Sequence, residues 1–115
     1  MAGMTDREDD IITRLVAVIR SRREADPAES YVAGLLAAGP ARTVRKFGEE
    51  AVELVAAALG EDRSAQIAEA ADTVFHLLVL LESLGVGWQE VLEELARREG
   101  VSGLAEKRAR GAEKF

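Results

Sequence analysis

Apolar positions recur along this chain at steps of three and four residues, the spacing of one face of an α-helix. Ile11, Ile12, Leu15, Val18 and Ile19 predict a first helix that starts at Asp6, Asp9 or Asp10 and fades between Ser21 and Asp26. Pro27 then marks a boundary or a new first turn. A short second helix is expected from about Ala28 to Ala38, carrying Tyr31, Val32, Leu35 and Leu36, and Gly39-Pro40 ends it. The third should run from about Ala41 to Leu59, with Val44, Phe47, Ala51, Leu54, Val55 and Ala58 as its core stripe. Gly60-Glu61-Asp62 closes it, and Ser64 is the expected cap of a fourth helix ending around Gly85-Val86-Gly87. A fifth, from about Trp88 to Arg98, presents Val91, Leu92, Leu95 and Ala96 ahead of a polar tail that begins at Gly100. The expected fold is therefore all-α: one domain over residues 1–115, built as a bundle around an antiparallel hairpin of the two longest helices. Residues 1–7 and 111–115 read as extensions.

The fourth helix breaks the pattern. From Ile67 to Leu81 it is apolar on nearly every side, which predicts burial. At 100° per residue, however, Glu69, Asp72 and His76 share an arc of roughly 60°. Two carboxylates and an imidazole on one line of a buried helix are costly unless something satisfies them.

Composition narrows the field. The 115 residues are 48% hydrophobic and 31% charged, which suits a folded globular chain of modest core. Aromatics are only 4%, while Ala, Leu, Val, Glu and Arg dominate, favouring helices over sheets. A net charge of −6 argues against nucleic acid or an acidic membrane as partner, though not against an anionic substrate whose charge a cation offsets. Without cysteine there is no disulfide, no thiolate chemistry and no Cys-based zinc site. The run Leu77 to Leu81 is far too short to span a membrane. The opening MAGMTDREDD is acidic with no apolar signal region, so the cytoplasm is the expected compartment.

Candidate chemistry lies in the acidic residues. Glu49, Glu50 and Glu53 neighbour one another on the third helix, and Glu69 and Asp72 form an i,i+3 pair on the fourth. On the third helix alone, with Arg45 and Lys46 beside them, these glutamates are most simply a solvated face. In an antiparallel hairpin, though, residues 50–53 and 69–72 stand at comparable heights from the turn, so the two patches can face each other. Carboxylates converging in a partly dry cleft either protonate or bind a hard cation. Mg²⁺ fits best, because it accepts few carboxylates and keeps open positions for substrate phosphate. In the tail, Ser102-Gly103 with Lys107 and Arg110 could bind phosphate through backbone amides and charge, or could be a solvated terminus. His76 reads as a packed or supporting residue, and Tyr31 and Trp88 as packing residues.

The blocks Ser30-Tyr31, Leu35-Leu36, Gly39-Pro40, Lys46-Phe47-Gly48-Glu49-Glu50-Ala51-Val52-Glu53, Glu69-Ala70-Ala71-Asp72, His76-Leu77-Leu78 and Ser102-Gly103-x-x-Glu106-Lys107 follow in an order that resembles the phosphoribosyl-ATP pyrophosphatase family of histidine biosynthesis. The likeness spans about residues 10 to 110. It includes the E-x-x-E and E-x-x-D signature of the wider all-α nucleotide pyrophosphohydrolases. The resemblance implies Mg²⁺-dependent hydrolysis of phosphoribosyl-ATP to phosphoribosyl-AMP and pyrophosphate in a homodimer, with Mn²⁺ able to take the place of Mg²⁺. It further implies Glu50, Glu53, Glu69 and Asp72 as metal ligands, with Glu49 and Glu50 as the catalytic carboxylates, Glu49 serving as a further ligand or as the base that orients water. Lys46 and Lys107 fall at positions expected to touch phosphate. Phe47 stands where family members often carry a smaller residue, a difference expected to affect packing only. Two other functions are consistent with the same residues: a house-cleaning nucleoside triphosphate pyrophosphatase, and a non-catalytic helical interaction module with solvated acids.

Overall fold

The computed structural model describes the backbone of residues 3–60, 62–100 and 108, and side chains from Ile11 onward. Helices α1 (Gly3–Ser21), α2 (Tyr31–Ala38), α3 (Pro40–Gly60), α4 (Arg63–Leu84) and α5 (Trp88–Arg98) follow in order, with a 3₁₀ turn at Arg22–Glu24 after α1. Among the described residues there is no strand, and no single helix is long and apolar enough to cross a membrane.

Local chemistry explains most boundaries. Ser30 caps α2, its hydroxyl accepting from the Ala33 N–H at 3.1 Å, so the helix begins at Tyr31 rather than at the predicted Ala28. The preceding residues turn instead, with the Asp26 carboxylate accepting from the Ala28 N–H. Gly39, at φ 91°, stops α2 in a backbone conformation that other residues resist. Its carbonyl then accepts from Arg42 and Thr43, so the same residue starts α3, and Pro40 is the first residue of the next helix. Asp62, not Ser64, caps α4: its carboxylate takes the Ala65 N–H at 2.9 Å, while Ser64 only donates to that same carboxylate. Gly85, at φ 75°, ends α4 as predicted. α1 begins at Gly3, before any of the aspartates expected to cap it.

α3 and α4 form the antiparallel hairpin, by far the most extensive interface in the fold. Two side chains set its register. Gln66 Nε2 donates to the Ala57 carbonyl at 3.2 Å, and Thr73 Oγ1 reaches the Glu50 carbonyl at 3.2 Å as well as Glu69 O at 2.8 Å. Both steps, from 57 back to 50 and from 66 on to 73, are two helical turns, so the helices stay in step between those points.

The core lies elsewhere. Ile19 of α1, Val32 and Leu35 of α2, and Leu78 and Val79 of α4 are buried together, with Ile12, Leu15, Val16, Leu36, Phe75 and Trp88 packed against them. Each fully buried aliphatic side chain here contributes roughly 1.5–3 kcal/mol. Two expectations are corrected. The inward face of α3 is Thr43, Glu50 and Ala57, while Val44, Val55 and Ala58 of the predicted stripe are exposed. On α4 only His76, Leu78 and Val79 are buried, and Ile67, Ala71 and Val74 face outward. α1 and α2 reach only one end of the hairpin's apolar surface, so several of its remaining valines and leucines stay exposed among the described residues. Leu59 is 83% exposed and Val52 67%.

Candidate metal centre

The hairpin register carries Glu50 to the level of Asp72 and Thr73, and Glu53 to the level of Glu69. Carboxylate oxygens of Glu50, Glu69 and Asp72 all lie within 4.8 Å of one another. Glu50 is buried, Glu69 half-buried and Asp72 exposed, so the group runs from the helix interface out to solvent. Glu53 is exposed and stands outside this trio, close enough to Glu69 to act on its charge. Burial pushes the Glu69 carboxyl above the ordinary glutamate value, and the neighbouring charges of Glu53, Asp72 and Glu50 push it further the same way. Its Oε1 is buried with no hydrogen-bond partner among the described residues. Native structures rarely leave such an atom unsatisfied without a water, ion or chemical role to account for it.

Among the described residues, Glu50 is the acid of the group paired with a cation. Lys46, one turn earlier on α3, places Nζ 3.1 Å from Glu50 Oε2 and 3.9 Å from Glu49 Oε1. Glu49 itself is exposed, is shared between Lys46 and Arg45 (3.7 Å), and does not join the trio. The Lys46 ammonium is held above the ordinary lysine value, first by its hydrogen bond to Glu50 and next by its charge interaction with Tyr31.

Two residues that pattern reasoning passed over also meet here. Tyr31, expected only to pack, is 53% exposed, and its hydroxyl lies 2.9 Å from His76 Nε2. His76 is buried, and its Nδ1 lies 2.8 Å from the Asp72 carbonyl, so it supports the site without entering the carboxylate group. Phe75 and Tyr31 clasp its ring edge-on. Thr73 is the second omission: a threonine inside an apolar helix suggests a bond to its own backbone, but nothing local predicts its reach to α3. The candidate phosphate residues Ser102, Gly103, Lys107 and Arg110 lie outside the described residues.

The donor set suits a hard cation. It is all oxygen, negatively charged, open to solvent on one side, and it contains a buried oxygen with no hydrogen-bond partner among the described residues. Opposite ligands of Mg²⁺ stand about 4.2 Å apart, so small side-chain rotations would close the group. An all-α hairpin whose two helices bring three carboxylates together at its centre forms an acidic cleft suited to a hard cation.

Comparison with known proteins gives the class. A model of the phosphoribosyl-ATP pyrophosphohydrolase family matches residues 12–99. A phosphoribosyl-ATP pyrophosphatase from Novosphingobium aromaticivorans is 54% identical over 101 residues, covering 88% of this chain and 94% of its own length. Proteins of the same name from Rhizorhabdus wittichii and Cereibacter sphaeroides are 54% and 50% identical, over 86% and 88% of this chain and 93% and 98% of theirs. The chain belongs to the phosphoribosyl-ATP pyrophosphohydrolase family and so to the hydrolases. The resemblance carried by the sequence blocks is borne out.

Proposed function

We infer that the chain hydrolyses phosphoribosyl-ATP to phosphoribosyl-AMP and pyrophosphate, the second step of L-histidine biosynthesis, in the cytoplasm. The observation that carries this, beyond family membership, is the convergence of Glu50, Glu69 and Asp72, with a buried Glu69 oxygen that lacks a partner among the described residues. Glu50, Glu69 and Asp72, with Glu53 at the edge, would hold Mg²⁺, or Mn²⁺ in its place. Bound there, such a cation supplies charge neutralisation for the triphosphate and an activated water. The chain's own residues do the rest. Glu49 and Glu50 are the candidate catalytic carboxylates, and an acid left free of coordination can accept the proton of the attacking water. Lys46 borders Glu50 and can meet a substrate phosphate, joined by Lys107, Arg110 and the Ser102-Gly103 amides of the tail.

The reading extends to a homodimer. Val52, Val55 and Leu59 follow at helical spacing on α3, and Ile67 and Val74 on α4, all exposed. A second copy that covered these faces would remove a patch seldom left to solvent and would wall in the open side of the acidic group. Val55→Asp should therefore shift the protein to monomer in sedimentation at micromolar concentration. A wild type that sediments as monomer would overturn this part.

Pyrophosphate release from phosphoribosyl-ATP, ATP and dUTP, each with and without Mg²⁺, tests the activity. Turnover of phosphoribosyl-ATP alone, and only with the cation, is expected. Equal turnover of dUTP would make this a house-cleaning enzyme, and no turnover of any substrate would leave a non-catalytic module.

A further inference from the structure

A cavity of about 450 Å³ opens between α2, the turn before it and the start of α3, a volume that suits a small-molecule site. One cation and one acid line it, Arg42 and Glu29, and among the described residues no hydrogen bond or ion pair engages either side chain. Other arginines are occupied: Arg45 lies 3.7 Å from Glu49, and Arg20 and Arg23 share Glu82. Gly34 keeps the cavity open. A glycine inside a helix weakens it relative to alanine, and packing does not demand one here, since a Cβ would meet only the Pro27 carbonyl at an ordinary 3.6 Å. Tyr31 stands as a fixed wall, its backbone following the Ser30 cap and its hydroxyl 2.9 Å from His76 Nε2. Through His76 Nδ1, 2.8 Å from the Asp72 carbonyl, that wall is tied to the helix that carries Glu69 and Asp72.

The cavity is separate from the acidic group yet set on the same helix. Arg42 precedes Lys46 by one turn of α3, and Lys46 precedes Glu50 by another, so Arg42 lies about 12 Å along the helix axis from Glu50. Phosphoribosyl-ATP is likewise charged at two ends, with a triphosphate on one ribose and a monophosphate on a second ribose across the purine. A cation held by the carboxylates serves only the first end. The second presents a phosphate and a vicinal diol at opposite sides of one sugar. A guanidinium matches phosphate with parallel N–H donors, and a carboxylate accepts from ribose hydroxyls. We propose that this cavity is the phosphoribosyl subsite: Arg42 holds the 5-phosphate of the second ribose, and Glu29 accepts from its hydroxyls. ATP lacks that group, so these two residues set the preference for phosphoribosyl-ATP over ATP. The proposal rests on the activity inferred above and adds the side chains that select its substrate.

Steady-state pyrophosphate release from phosphoribosyl-ATP at saturating Mg²⁺, with ATP as competing inhibitor, tests this on the wild type, Arg42→Met, Arg42→Lys and Glu29→Gln. Arg42→Met should lose roughly 10–100-fold in kcat/KM, the range of a charged hydrogen-bonded pair, while the Ki for ATP stays within about twofold. Arg42→Lys keeps the charge without the planar fork and should lose less. Glu29→Gln should lose roughly three- to tenfold, the range of a single hydrogen bond. Since neither side chain has a partner among the described residues, all three variants should melt within about 4 °C of wild type. An Arg42→Met protein with unchanged kcat/KM overturns the proposal. So does one whose Ki for ATP rises in step, because Arg42 would then serve the triphosphate that both nucleotides share. A wild type whose Ki for ATP equals its KM for phosphoribosyl-ATP does the same, since the phosphoribosyl group would then add no binding. A wild type that releases no pyrophosphate from phosphoribosyl-ATP overturns the activity reading itself, and the two failures are thereby distinguished.

Discussion

Glu69 of α4 and Glu94 of α5 are carboxylates on consecutive helices, and their surroundings treat them in opposite ways. Glu94 receives Arg97 Nη2 and Arg98 Nε, each at 2.8 Å, and these bonds, Arg97's first, lower its pKa to about 2. Glu69 has a partnerless buried oxygen and three acids for neighbours, and burial with their charge raises its pKa. The first is an ordinary surface acid, completed by bases one turn away on its own helix. Nothing among the described residues completes the second, and the cation they place nearby, Lys46, already pairs with Glu50 and Glu49. Incomplete electrostatics, rather than the presence of acids, sets the site apart.

The largest effect expected from this contrast is on turnover. Glu50→Gln or Asp72→Asn should cut pyrophosphate release by on the order of 10²–10³-fold, the scale of losing one transition-state stabilising group, with far-UV circular dichroism unchanged. Either variant retaining wild-type release at saturating Mg²⁺ would place the chemistry elsewhere. Next comes stability. A carboxyl whose folded pKa is raised costs stability above that value and nothing below its unfolded value near 4.5. Glu69→Gln should therefore melt a few degrees higher than wild type at pH 8 without Mg²⁺. The advantage should shrink as pH falls toward 4.5, and the Mg²⁺-dependent rise in Tm should be smaller than in wild type.

Thr73→Val, which removes the hydroxyl between α3 and α4, should cost about 1 kcal/mol in urea unfolding. Smallest is Glu94→Gln. Its depressed pKa stabilises the fold above about 4.5, and that contribution is lost as pH falls through about 2. Exposed pairs are weak, so Tm at pH 7 should drop by no more than about 2 °C. Opposite signs for the Glu69 and Glu94 variants at neutral pH are the sharpest form of the comparison. If both lower the Tm, Glu69 is satisfied by something its surroundings do not reveal.

The helices themselves were largely legible. α5 begins and ends where its apolar spacing and flanking glycines put it, and α3 differs from expectation by one residue at each end. Caps were less so: Asp62 and Ser64 both suit the start of α4, and only the backbone geometry chose the aspartate. Facing direction was the weakest point. Val44, Val55 and Ala58 look like core by spacing, yet Thr43, Glu50 and Ala57 face inward, because periodicity defines a stripe and its neighbours decide whether that stripe is covered. At the site, the four acids were legible as types and spacings. Their grouping was legible only in outline, since Glu53 stands aside from the trio and Glu49 turns to Arg45 and Lys46.

By itself the sequence determined that this is an all-α chain, that its two longest helices pair, and that acids sit at matching heights along them. Those are consequences of local periodicity and of counting residues from a turn. Tertiary structure decided which oxygens meet, that one Glu69 oxygen is buried with no hydrogen-bond partner among the described residues, and that a tyrosine and a histidine far apart in the chain share a bond. Distances of a few ångströms between helices depend on the register set by Gln66 and Thr73 and on the path of α2, and no local pattern encodes either.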